Sequence, residues 1–192
     1  MKKILATLLI AAVAVLTVGC LSFAEKQYTW QIQPDGSGKG TIVYRNIFSS
    51  GNTDDDYTAD DFVQLINDYL EGETLENETP GMRNVKKKLF VEDGFLCGEV
   101  TFEFAHFNEV GFYQYKGKGP MMFYLSNSSE TFINSSGDWA GEDFPIVFWP
   151  EGTKEFNVVT TMGDPYEEGA VSLIPLYEHW EKTGELPDVE EY

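Results

Sequence analysis

Three times this chain runs β-branched and aromatic residues into a glycine-bearing turn and on into a second such run. That pattern commits most of it to antiparallel sheet. Tyr28-Thr29-Trp30-Gln31-Ile32 leads through Pro34-Asp35-Gly36-Ser37-Gly38 to residues 41–48. Residues 85–91 lead through Asp93-Gly94 to 95–104, and residues 145–149 through Glu151-Gly152 to 155–161. In 95–104 the alternation is clean: Val100, Phe102 and Phe104 fall on one side, Glu99, Thr101 and Glu103 on the other. One face is therefore core and the other meets water. Short strands are expected at 110–115, 120–125 and 131–134.

Two segments read as helix. Phe62, Leu65, Ile66 and Tyr69 recur at helical spacing, behind Thr58 as N-cap with Asp61 in the capping-box position. This helix ends near Leu70, before Gly72, and residues 71–83 read as an acidic loop. Near the C-terminus Leu173, Leu176, Tyr177 and Trp180 form an apolar stripe, with Gly184 as C-cap. The expected fold class is α+β: a mainly antiparallel, hairpin-rich curved sheet with two helices packed on one face. The expected organisation is a signal peptide at 1–19, a tether at 20–26, one domain at 27–184 and an acidic tail at 185–192.

The N-terminus carries Lys2 and Lys3, then an apolar or small run from Ile4 to Val18, then Gly19-Cys20. A charged start followed by an apolar stretch too short to span a bilayer is an export signal. Leu16-Thr17-Val18-Gly19-Cys20 resembles the bacterial lipobox, in which the cysteine is acylated and becomes the first mature residue. The resemblance implies lipidation at Cys20 and attachment to membrane through the N-terminal lipid, on the extracytoplasmic side. Leu21 at the next position permits outer-membrane delivery where the cell has one. Thr17 stands where the lipobox usually has leucine. Ser22-Phe23-Ala24 offers a rival cut after Ala24, which would release a soluble secreted or periplasmic protein.

Charge narrows the partners. The chain has 13 basic and 32 acidic side chains, and removing Lys2 and Lys3 leaves 11 against 32, a net of −21. Such a surface repels nucleic acid. Lys86-Lys87-Lys88 reads as a solvated edge strand that discourages edge pairing. Fourteen Phe and ten Tyr exclude disorder. With Cys20 acylated or removed, Cys97 stands alone, a buried apolar side chain in a strand, and packing alone supports the fold.

Chemistry-bearing motifs are few, and no cofactor is expected. Gly36-Ser37-Gly38-Lys39-Gly40-Thr41 resembles a phosphate loop, but Ile-Val-Tyr follows, which is strand and not helix. The acidic stretch with Asp54, Asp56 and Asp60 offers calcium oxygens without the EF-hand spacing. His106 and His179 lie far apart in sequence. Asp138-Trp139 and Glu142-Asp143 near Trp149 are candidate sugar-cleft residues, against the plainer reading of an acidic loop.

The hairpin from Trp30 to Phe48 around Asp35-Gly36-Ser37-Gly38, directly after a lipoprotein signal, is similar to the opening of LppM-type bacterial lipoproteins. The Gly-, Val- and Phe-rich strand from Phe95 to Phe107 adds to the likeness. The resemblance implies an α+β domain with a curved sheet and a helix laid across it, able to hold an apolar ligand such as a lipid. The expected function is a non-enzymatic binding or structural role in the cell envelope. The alternatives are a carrier or sensor of a lipid or small apolar molecule, and an extracytoplasmic hydrolase. Interior volume separates a carrier from a packed core.

Overall fold

The computed structural model describes residues 21–50, 56–125 and 129–188. The signal segment 1–19 and Cys20 lie outside the described residues, as do Asp54 and positions 189–192 of the expected tail. The first strand, β1 (Leu21–Ile32), starts at the first described residue. It pairs with β2 (Gly38–Ser50) from Leu21 opposite Ser49 to Ile32 opposite Gly38. Residues 21–26, expected as tether, are strand. Ser22 and Phe23 are buried there, so pairing and apolar burial together extend the hairpin by about half its length.

The middle hairpin joins β3 (Arg83–Glu92) to β4 (Phe95–Phe104) through Asp93 and Gly94, at φ +52° and +80°. Two left-handed central residues make the tight turn whose twist matches that of the strands. Val100, Phe102 and Phe104 are buried, as the alternation requires. The short strands follow as β5 (Phe112–Gln114), β6 (Met121–Tyr124), β7 (Thr131–Ser135) and β8 (Asp138–Trp139). The last strands are β9 (Ile146–Trp149), β10 (Glu155–Thr161) and β11 (Ala170–Ser172).

The third expected hairpin does not form. β9 pairs with β6 and β8, whereas β10 pairs with β1 and β7. The Glu151-Gly152 turn is a corner between two sheets. The larger sheet has the order β3-β4-β2-β1-β10-β7, with β11 on β2; the smaller is β5-β6-β9-β8. Every pairing given for both is antiparallel. The reason for the split is apolar: Val147 and Trp149 of β9 and Phe156 and Val158 of β10 are all fully buried in one cluster. Two strands that each need a covered face bury more apolar surface by facing one another than by pairing edge to edge.

Around the first turn the glycines have a packing role. A side chain on Gly38 or Gly40 would meet the rings of Phe104 and Phe102. Those rings lie across the bare backbone of β2 and fill the space that two missing side chains leave.

The helical segments differ in detail from expectation. Thr58 is the first residue of α1 (Thr58–Gln64), not its cap. Asp56 Oδ1 accepts the Thr58 N–H at 3.0 Å, and Asp61 is buried, accepting the Ser49 hydroxyl at 2.5 Å. The helix continues as a π-helical segment, Leu65–Leu70, and the presumed loop contains α2 (Thr74–Glu78) with Leu75 buried. Helix α3 (Ile174–Thr183) ends as expected, Gly184 at φ +73° donating its N–H to Trp180 O at 2.7 Å. Beyond it Leu186 packs against the same cluster as α3 instead of hanging loose.

Two apolar clusters result. One joins Trp30, Phe102, Phe112, Trp149 and Phe156 between the sheets. The other joins Phe62, Leu65 and Ile66 with Leu173 and Tyr177 against Phe23, Ile47 and Leu96 of the sheet. Among the described residues no helix is long and apolar enough to cross a membrane.

Candidate functional site

The seam between the two clusters holds the most unusual chemistry of the chain. Register places Leu89, Gly98, Tyr44, Lys26, Thr160 and Phe132 in one row straight across five strands and onto β7. A lysine thus sits in the inward row of a sheet. Its side chain is 13% exposed and its ammonium lies 2.9 Å from Glu130 Oε1, a carboxylate 1% exposed. Glu130 also accepts the Thr160 hydroxyl at 2.7 Å and the Tyr28 hydroxyl at 3.2 Å. The lysine Nζ lies 4.7 Å from the centroid of Tyr28, 5.1 Å from Tyr44 and 5.7 Å from Phe23. A buried charge persists only when paired and hydrogen-bonded, and aromatic faces add to the stabilisation of a cation.

Burial works against the Lys26 charge, but Tyr44, Tyr28 and Glu130 outweigh it and hold the ammonium above the ordinary lysine range. Burial raises the Tyr28 phenol, Lys26 opposing and Glu130 reinforcing the rise. Tyr44 and Tyr69 are raised as well, burial being the main cause in both. At neutral pH the site therefore presents one ammonium and neutral phenols. A lysine that keeps its proton has no free electron pair and is not a nucleophile.

Beside this cluster lies a cavity of about 170 Å³. Leu65 and Tyr69 of the π-helical segment line it, with Leu75 of α2, Val100 of β4 and Met162. Gly98 opens it from below, since it contributes no side chain to the row between Tyr44 and Leu89. A Cβ at Gly98 would sit 3.3 Å from Ile47 Cδ1 and 3.5 Å from Leu89 Cδ2. Tyr44 and Ile47 are three residues apart yet both face this space, because Asn46 between them is left-handed at φ +52°. On the far wall Lys87, its side chain 9% exposed, donates to Gly72 O and to Glu76 Oε2, each at 2.6 Å. Lys87 thus points into the domain while Lys88 remains at the surface, so β3 is the expected edge strand but Lys87 is not solvated.

A larger recess of about 580 Å³ lies along Lys39, Thr41, Asn84, Lys86, Thr101 and Glu103. It is a surface groove of already paired charges: Glu103 meets Lys39 at 3.0 Å and accepts from Asn84 at 2.7 Å. Its lack of enclosure makes it the weaker site despite its size.

The residues singled out from sequence fall elsewhere. The Gly36–Thr41 motif enters β2 directly, so no helix N-terminus faces a phosphate, and Lys39 is a surface partner of Glu103. Asp56 caps α1, Asp60 is exposed, and no group of three or more metal-ligating side chains occurs among the described residues. His106 Nδ1 accepts the Asn108 N–H at 3.3 Å and its ring packs on Phe107 at 4.2 Å. His179 is exposed on α3. Cys97 is buried. Of the sugar-cleft candidates, Trp149 is 1% exposed and closed to a sugar, and Trp139 has one face stacked flat on Phe132 at 4.2 Å.

Lys26, Tyr28, Tyr44 and Glu130 escaped sequence reading. A signal was there: positions 26, 28, 30 and 32 share one parity in β1, and lysine in that series is out of place. Starting the strand at residue 27 hid it. Comparison with protein families, with curated proteins and with solved structures finds no match.

Proposed function

We propose that this chain is an envelope-associated bacterial lipoprotein with a non-enzymatic binding role. It is exported, cut before Cys20, acylated there, and held by that lipid on the extracytoplasmic side of a membrane, the outer one where two exist. The observation that carries this reading is that residues 21–24 belong to β1. β1 pairs from Leu21 onward, and Ser22 and Phe23 are buried. A cut after Ala24 would remove four residues of that strand, including an aromatic ring of the second cluster. A cut before Cys20 leaves the strand whole. Two or three acyl chains hold a protein to membrane far more firmly than one, at about 0.8 kcal/mol per buried methylene.

The binding role rests on the cavity beside the Lys26–Glu130 pair. Its position favours helices on one face of the larger sheet, since Phe62, Ile66, Leu173 and Tyr177 share a cluster with Phe23, Ile47 and Leu96. A protonated Lys26 and a His106 that accepts from its own turn favour binding over catalysis. No nucleic-acid partner is proposed, given the net charge of −19 on the whole chain. The test is Cys20→Ser in the producing cell, with labelled fatty acid and membrane fractionation. The expected result is loss of label and of stable membrane retention together. Retention unchanged without label would end the lipoprotein reading.

A further inference from the structure

We propose that the cavity between the sheet and the π-helical segment binds a neutral molecule the size of one aromatic ring bearing a single hydroxyl, phenol being the simplest. This rests on the binding role proposed above and names its ligand class. Size comes first. A cavity of about 150 Å³ takes benzene, and the volume here, within a lining of mixed polarity, is about 170 Å³. Larger ligands occupy several hundred cubic ångströms.

Charge comes second. The basic side chains lining the space are Lys26, Lys87 and Lys88; the acidic ones are Glu78, Glu99 and Glu130. Lys26 meets Glu130 at 2.9 Å, Lys88 meets Glu99 at 2.9 Å, and Lys87 meets Glu76 at 2.6 Å. Each cation already has its carboxylate, so an entering anion would lose water and gain no counter-ion, and an entering cation would exchange its water for Glu78 alone, a pair whose desolvation offsets its attraction. A neutral guest carries no such penalty.

Wall chemistry comes third. Leu65, Leu75, Val100 and Met162 offer apolar surface, and Phe23 and Tyr44 offer rings at 5.3 Å and 76° to each other, edge-on geometry that a further ring extends. The Lys26, Tyr44 and Glu130 cluster is gathered on one wall, where a single hydroxyl finds polar partners; on the far wall the Lys87 ammonium is already held by Glu76 and Gly72 O. The opening is also built in. Gly98 lies mid-strand, where glycine weakens a sheet and commonly marks close approach of another group. Its φ is outside the left-handed region, so the backbone does not demand glycine.

The full acylated chain, purified in detergent micelles, is titrated by calorimetry with phenol, benzylamine and hexanoate. One equivalent of phenol is expected to bind, with benzylammonium and hexanoate at least about tenfold weaker, a difference of about 1.4 kcal/mol. Gly98→Val fills the opening and should abolish phenol binding while near-ultraviolet circular dichroism stays native. Leu75→Phe fills it from the helical side and serves if Gly98→Val does not fold. Absence of phenol binding by the folded protein overturns the proposal. So does undiminished binding by a folded, filled variant, or either ion binding as well as phenol. Fatty-acid label on Cys20 is scored on the same preparation: labelled protein that ignores phenol sinks the ligand class alone, and unlabelled protein that binds phenol sinks the lipoprotein reading alone.

Discussion

Lys26 is a charge kept inside a sheet by one carboxylate and three aromatic rings. Removing one member of a buried pair leaves the other uncompensated, which costs about 3–5 kcal/mol. Lys26→Met should lower urea-unfolding stability by about that much, whereas Lys26→Met combined with Glu130→Met should recover most of it. A double variant no better than the single one would show that the pair is not the source. The same residues set the alkaline limit. Lys26, Tyr28 and Tyr44 hold their protons more tightly in the fold than their ordinary values of 10.5 for the lysine and 10.0 for the tyrosines. Groups raised in this way contribute stability that is complete below the unfolded value and lost as pH climbs through the folded one. Unfolding free energy should therefore decline above about pH 10. The decline should be shallower in the Lys26→Met, Glu130→Met variant, as denaturant titrations at a series of alkaline pH values would show.

At the scale of elements, β1 decides most. Its first residues carry Phe23, 8% exposed and packed edge-on against Tyr44. Phe23→Ala should cost about 3–5 kcal/mol by the usual loss for a buried ring. A loss near zero would mean that the strand ends at residue 25 in solution and that the tether reading was right. The sequence made β4 legible because Val100, Phe102 and Phe104 on one face alternate with Glu99, Thr101 and Glu103 on the other. It made the Asp93-Gly94 turn legible because only a few residues accept two left-handed centres. It misled over β9 and β10 because alternation reports which side of a strand is buried and never which strand lies beside it. The start of β1 was hidden because Ser22-Phe23-Ala24 reads equally as a peptidase site. The cavity was illegible for the same reason as the β9 pairing: Gly98, Lys26 and Glu130 are far apart in the chain and meet only through register.

At the scale of the whole molecule, an acidic surface and a two-part interior divide the work. The net charge of −19 keeps the molecule away from polyanions. The interior holds the cavity at the join of its two clusters. Both features were partly readable, charge from composition and a filled core, though not its two clusters, from the density of Phe and Tyr. The division into two sheets was not, since it depends on which buried faces meet. The account turns on Leu21, Ser22 and Phe23 belonging to the paired and buried part of β1. The most direct test is the mass and N-terminal sequence of the native protein from its own membranes. The account predicts a chain that starts at Cys20 and carries the added mass of its acyl groups. A chain that starts at Glu25 without added mass would contradict it.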